Sequence, residues 1–265
     1  MSRIAQAFID AHEQGRAAVI TYAMVGDPDV NTTIRIVKSL VEGGADIIEL
    51  GVPFSDPLAD GATIQRAAER ALANGVSLYQ CLTAARMLRH HNVTAPIVLM
   101  GYYNPFHHYG LPKFAAEAAA AGVDGVIIPD LPPEEAGDLQ AALQQHSLDL
   151  IFLLAPTSTN ERIAKVAQLA SGFIYCVSLT GVTGARAEFS TAVGGLIARV
   201  RELTSLPLAI GFGISTPAHA SQAAQLADGV VVASALIDRL DRLPAAERPA
   251  SAREFATELR AAARK

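Results

Sequence analysis

A chain of 265 residues, 51% of them hydrophobic, can bury one large core or two small ones. Its net charge of −5 leaves no basic footprint for nucleic acid, and two cysteines, Cys81 and Cys176, cannot form a disulfide framework, which points to a reduced cytoplasmic setting. Asp10, Glu13 and Arg16 break the opening segment, so it reads as neither signal peptide nor membrane span, and no apolar run approaches the ~20 residues that a span needs.

In chain order, Ile4 to His12 predicts an amphipathic helix with Ile4, Phe8 and Ile9 on one side. Ala17 to Met24 predicts a strand stopped by Gly26-Asp27-Pro28, and Asn31 to Val41 a helix stopped by Gly43-Gly44. A strand around Ile47-Ile48-Glu49-Leu50 follows, then a loop, then helices over Thr63 to Asn74 and Leu78 to His90. Pro96 to Gly101 is a strand, Tyr102-Tyr103-Asn104-Pro105 a polar-aromatic loop, and Leu111 to Ala121 a helix. Strands over Gly125 to Pro129, Leu148 to Leu154 and Phe173 to Val177 are separated by helices over Glu134 to Gln145 and Asn160 to Ala170. A Gly-rich loop, 181–184, runs into a helix from about Ala192 to Leu203. Strands Leu206 to Gly211 and Gly229 to Val232 flank a helix over Pro217 to Leu226. Helices over Ser234 to Leu240 and Ser251 to Ala263 close the chain.

Strands alternating with helices imply a parallel sheet with helices outside. Eight units in one chain of this length, 1–265, with no interdomain linker, predict a single α/β domain. It is a (β/α)8 TIM barrel with an extra N-terminal helix and inserted helices. The competing open doubly wound sheet lacks the Gly-x-Gly-x-x-Gly that should follow its first strand.

The chemistry centres on residues 47–61. Glu49 is a lone carboxylate in an apolar strand, where an ionised group is costly unless paired. Pro53, Pro57 and Gly61 then interrupt regular structure in a loop carrying Asp56 and Asp60. Taken singly these are a strand-end Glu and turn-forming Asp residues. Together, a strand carboxylate facing a loop carboxylate suggests acid–base chemistry, provided their environments set their pKa values apart. In a barrel the C-terminal strand ends form the active site. Those ends carry Tyr22, Glu49, Asp60, Met100, Tyr102, Asn104, Asp130, Tyr175, Thr183, Phe212 and Ser234, an aromatic, apolar mouth with a few acids. Gly-rich turns at 181–184 and 211–213, and Ala233-Ser234 before a short helix, all follow the last three strands, where barrels frequently bind phosphate.

None of the four lysines, Lys38, Lys113, Lys165 and Lys265, lies at a strand end, which argues against a Schiff-base aldolase. His90-His91 and His107-His108 lack metal-ligand spacing and read as surface residues, while Cys81 and Cys176 read as core thiols; no metal site is expected.

Glu-Leu-Gly-Val-Pro-Phe-Ser-Asp-Pro-Leu-Ala-Asp-Gly (49–61), with Gly-Asp-Pro (26–28), Gly-Val-Thr-Gly (181–184) and Gly-Phe-Gly-Ile-Ser (211–215), resembles the tryptophan synthase alpha subunit over essentially the whole chain. The resemblance implies reversible retro-aldol cleavage of indole-3-glycerol phosphate into indole and glyceraldehyde 3-phosphate. No cofactor would act in this subunit. A pyridoxal-phosphate beta subunit would be the partner in an alpha2beta2 complex, taking indole through a tunnel. The family's acid–base pair falls on Glu49 and Asp60 and its active-site tyrosine on Tyr175. Its phosphate contacts fall on Gly184, Gly213 and Ser234, and its indole-packing aromatics on Tyr22 and Phe212. Pro53, Asp56 and the loop after the sixth strand match loops that respond to substrate and partner. Two departures stand out: Ala233 where the family has glycine, and Tyr22 where it has phenylalanine. Other expectations to weigh are a different phosphate-binding barrel, a stand-alone lyase that releases indole, and a non-catalytic barrel that activates a partner; the last would not need both carboxylates.

Overall fold

Short aliphatic and β-branched runs, buried on both faces, form parallel strands, as they must where helices cover one face and the barrel interior the other. The computed structural model describes residues 1–177, 186–211 and 213–265, with 186–191 described in backbone only. The opening helix α1 (Arg3–Glu13) precedes β1 (Ala18–Met24), α2 (Val30–Glu42) and β2 (Ile47–Gly51). Helices α3 (Ala62–Ala73) and α4 (Leu78–His90) lead to β3 (Ile97–Met100), and α5 (Tyr103–Tyr109) and α6 (Leu111–Ala121) to β4 (Gly125–Ile127). Then α7 (Gly137–Gln144), β5 (Asp149–Leu154), α8 (Asn160–Leu169), β6 (Ile174–Val177), α9 (Arg186–Arg201) and β7 (Leu208–Gly211) alternate. The chain ends with α10 (Pro217–Leu226), β8 (Gly229–Val232), α11 (Ser234–Asp241) and α12 (Arg248–Ala262).

The strands run in sequence order around a closed barrel, with β1 paired in parallel to both β2 and β8. Closure rules out the open doubly wound sheet, which would leave two strands at its edges.

Several boundaries differ from expectation. The predicted loop at Tyr102–Pro105 is the start of a helix, α5: Pro105 sits in its first turn, where a missing N–H costs nothing. The helix expected from Glu134 starts at Gly137, after a turn set by Pro132-Pro133. The helix expected from Ala192 already begins at Arg186, and the last helix begins at Arg248, with Pro249 in its first turn. The strand expected to end at Pro129 is paired only through Ile127.

Period-two alternation along the strands separates two cores. Outward residues such as Ile48, Leu50, Leu99 and Val230 pack under the helices. Inward residues such as Ile20, Ile47, Val98, Ile127, Ile151 and Val231 fill the barrel. Helix α1 closes its N-terminal end: Phe8 packs 5.6 Å, ring to ring, from Phe173 beneath β6.

The same end is held by a repeated polar device. Asp46, Asp124 and Asp228, each just before an even-numbered strand, accept the backbone N–H of Val19, Ile97 and Leu208 at 2.7, 2.7 and 2.9 Å. Ser171 does the same for Leu150 at 2.9 Å. The carboxylates are neutralised by Arg16 on Asp46, by Arg3 and Arg89 on Asp124, and by Arg201 and Lys265 on Asp228. Buried charges are tolerable only when paired in this way. The ion pairs therefore fix the closed end and leave the mouth to carry chemistry.

Candidate active site

Glu49 lies on β2 with its side chain inside the barrel, in register with Tyr22 of β1 and Val98 of β3. It is 1% exposed, and its Oε1 finds no hydrogen-bond partner among the described residues. A buried carboxyl with an unpartnered oxygen favours its neutral form, and burial pushes Glu49 up to about 8. From the sequence alone, the apolar strand around Glu49 (Ile47, Ile48, Leu50) leads one to expect a rise towards ~6–7. The difference follows from how completely the barrel interior removes solvent from this one side chain.

Two tyrosines flank it, and the same local arrangement holds both. Tyr22 stands two residues before the partner of Gly51, and Tyr175 two residues before the partner of Gly211. In each case the ring leans over the glycine that ends the next strand, so that a Cβ there would run into the phenol. Both phenols are buried, which raises their pKa values well above the ordinary range, with the Glu49 charge adding to the shift in each. They stay neutral and present hydroxyls at the mouth. The Tyr22 hydroxyl is 3.9 Å from Met24 Sδ, and Asp60 also acts on it, so Tyr22 faces both carboxylates. Gly51 and Gly211 were not singled out from the sequence for this role. A tyrosine two residues short of one strand's end, opposite a strand-terminal glycine on the next, is the pattern that would have identified them.

Asp60 sits at the end of the β2–α3 loop. Burial raises it to about 6, moderated by a hydrogen bond from the Tyr102 hydroxyl. That hydroxyl also accepts the Ala59 N–H at 2.8 Å, and the Tyr102 ring stacks on Phe54 at 5.4 Å. Expected as a substrate contact, Tyr102 is in this structure the post to which the Asp60 loop is fastened. The Asp60 carbonyl accepts Gln65 Nε2 at 2.8 Å, which joins the loop to the first turn of α3. Asp56 is exposed and accepts from Ser55 Oγ at 2.5 Å, while Leu58 at the loop tip is 93% exposed.

Met100 ends β3 between Gly51 and Ile127 and is half-buried, facing the same mouth. Asn104 is exposed in α5, and the exposed Asp130 accepts the Tyr103 N–H at 2.9 Å. Gly213 is exposed with φ +77°, a left-handed conformation that favours glycine. Ser234 opens α11 and is exposed; Ala233 before it has no side chain to cap the helix start, and its carbonyl takes the Leu236 and Ile237 N–H at 3.0 and 3.2 Å, which leaves the Ser234 and Ala235 amides for another acceptor. Thr183, Gly184 and Phe212 lie outside the described residues.

The paired histidines His90-His91 and His107-His108 are exposed, and Cys81 and Cys176 are buried in the core. Among the described residues no three His, Cys, Asp or Glu side chains could hold a metal ion, and no helix is long and apolar enough to cross a membrane.

Residues 8–264 match the family model described as tryptophan synthase alpha chain. The tryptophan synthase alpha chain of Roseiflexus sp. (strain RS-1) is 55% identical over 260 residues, covering 98% of this chain and 100% of the relative. That of Chloroflexus aggregans is 52% identical over 259 residues, 98% of this chain and 97% of the relative. Among solved structures, tryptophan synthase subunit alpha from Legionella pneumophila str. Paris superposes with a TM-score of 0.91 at 37% identity, over 99% of this chain and 98% of that one. A chain of tryptophan synthase from M. tuberculosis, in an aminoacrylate- and BRD0059-bound form, gives 0.90 at 40% identity over 100% and 99%.

Proposed function

The chain belongs to the tryptophan synthase alpha chain family, and on that premise we propose that it cleaves indole-3-glycerol phosphate with Glu49 and Asp60 as its acid–base pair. As a member of that family it is a lyase of tryptophan biosynthesis that carries out the alpha reaction. The observation that supports the assignment is the opposed state of the two carboxyls: Glu49 is held near 8 and so is protonated at neutral pH, whereas Asp60, near 6, is ionised.

The chemistry needs this split. Indole is a poor leaving group as a carbanion. Protonating ring carbon 3 gives an indolenine, from which the side chain can depart. Protonated Glu49, fixed on its strand, donates that proton and then, as a carboxylate, accepts the proton of the side-chain hydroxyl as the carbonyl forms. Asp60 takes or holds the ring N–H proton. Tyr22 and Met100 supply the ring-facing surface, with Phe212 as a further aromatic, and Tyr175 a hydroxyl beside Glu49. Gly184, Gly213, Ser234 and the amides at the start of α11 seat the phosphate, with Thr183 on the adjoining loop.

A beta subunit is the partner. We assign it the pyridoxal phosphate, with none in this chain, and an alpha2beta2 assembly. The Pro53–Asp60 loop, Asn104 and 130–132 share the barrel mouth and form the face it would cover. The test is incubation with indole-3-glycerol phosphate, alone and with a beta subunit, following free indole and, with serine, tryptophan. No indole in either case would refute the assignment. Equal rates, together with no complex on gel filtration, would refute the partner's role.

A further inference from the structure

Helices α3 and α11 follow, respectively, the loop that carries Asp60 and the turn that carries Ser234. They are joined along their length by polar contacts. On α3, Thr63, Arg66 and Arg70 share one face. Thr63 Oγ1 donates to Asp238 Oδ1 of α11 at 2.9 Å, and Arg66 lies 3.6 Å from the same carboxylate. Arg70 takes Asp241, the last residue of α11, at 2.8 and 3.0 Å. Through Nε and the same Nη2 that meets Asp241, it also holds Asp27, on the loop after β1, in a bidentate pair at 2.8 and 2.8 Å. Asp27 is nearly buried, and Arg248 lies 3.7 Å from it and 3.8 Å from Asp241.

This network lies outside the reacting groups, yet both of its ends lead to them. Gln65 ties the first turn of α3 to the Asp60 carbonyl. Just before Asp238 on α11 stand the apolar Leu236 and Ile237, which with Arg248 line a narrow cavity shared with Tyr22 and Met24. Because the substrate spans from its phosphate to its indole ring, the separation between the start of α11 and Asp60 decides whether the ring nitrogen meets its base.

We propose that Thr63 and Arg70 are positioning residues: through Asp238 and Asp241 they register the phosphate-bearing helix against the helix that carries Asp60, so that a seated phosphate sets the reach of the base. The proposal rests on the phosphate seat and the acid–base pair assigned above. Planar Arg70 suits the task because its fork engages two carboxylates at fixed angles, which an ammonium cannot do.

The test uses the full chain with two measurements, binding of inorganic phosphate and turnover of indole-3-glycerol phosphate. In Thr63→Val combined with Arg70→Met, phosphate should bind within about twofold of the parent. Turnover at saturating substrate should fall on the order of 10- to 100-fold, the effect of slight misplacement, with KM little changed. Thr63→Ser should restore the first contact, and Thr63→Val alone, at a partly exposed site that should not disturb folding, should lose turnover in the same direction. Retained turnover in the double variant overturns the proposal. So does a loss of phosphate binding in step with turnover, which would mean that the contacts only build α11. A parent chain that turns over substrate but does not bind phosphate refutes the seat itself, and the coupling with it.

Discussion

Glu49→Gln should make the protein more stable as it makes the enzyme inactive, and the gain should grow with pH. The ordinary Glu value is 4.5, and burial raises it to about 8 in the folded chain. Between those values the unfolded chain has released the proton while the folded chain keeps it. Stability therefore falls as pH rises through this window, because the folded state binds more protons. Below 4.5 both states are protonated and nothing is lost; above 8 both are ionised and the loss is complete. At about 1.4 kcal/mol per pH unit, the loss is about 3 kcal/mol at pH 7 and about 5 kcal/mol above pH 8. Glutamine has nearly the same shape and does not titrate, so the variant escapes it. The assay is urea unfolding of parent and variant at pH 5, 7 and 9 and constant ionic strength, taken as the difference between the two proteins so that every other titrating group cancels. A difference that stays constant within about 0.5 kcal/mol across that range would refute the argument. It would mean that Glu49 is hydrated or paired when ionised and is not the reserved proton that the mechanism requires.

Other consequences are equally direct. Glu49→Gln should lose on the order of 10²–10⁴ in single-turnover indole formation while still binding substrate. The pH profile of kcat/KM in the parent should rise through about 6 as Asp60 ionises and fall through about 8 as Glu49 does, with Asp60→Asn removing the acidic limb. Tyr102→Phe deletes a hydrogen bond that lowers the Asp60 pKa, so the acidic limb should move to higher pH and the rate should drop as the loop loses its anchor; an unshifted limb would count against that bond. Gly213→Asp adds like charge and a side chain at φ +77° and should weaken binding of the phosphorylated substrate, measured by titration; unchanged binding would mean that the phosphate lies elsewhere. At the opposite end, Asp46→Ala strands Arg16, 5% exposed, and should cost about 3–5 kcal/mol of unfolding free energy. Its kcat should be unaffected.

What could be read from the sequence divides along physical lines. Strands were legible because a strand buried on both faces must be an apolar run, and the end of α2 was legible because Gly43-Gly44 marks it with a stop. The first turn of α5 was not, because Tyr102-Tyr103-Asn104-Pro105 carries the composition of a turn, and only burial of Phe106 against Phe114, at 4.8 Å, shows that a helix is worth forming there. Glu49 was legible as a charge in the wrong place. Asp60 was legible only in company with it, since aspartate in a Pro- and Gly-bounded loop is ordinary.

Arg70 shows where such reading stops. In the sequence it is one of two arginines on an amphipathic helix, and its partners Asp27 and Asp241 stand 43 and 171 residues away. Asp27 in Gly-Asp-Pro reads as a turn former, and Asp241 as the last residue of a short helix. Each has a sufficient local explanation, so nothing local calls for a second one. Barrel closure supplies it by placing β8 beside β1, which brings α11 against α3 and β1 and sets both acids at one guanidinium. A residue that is anomalous where it stands announces itself in sequence, as Glu49 does. A residue whose role is to hold two distant elements in register is locally ordinary, because the constraint it satisfies exists only after the chain has closed on itself.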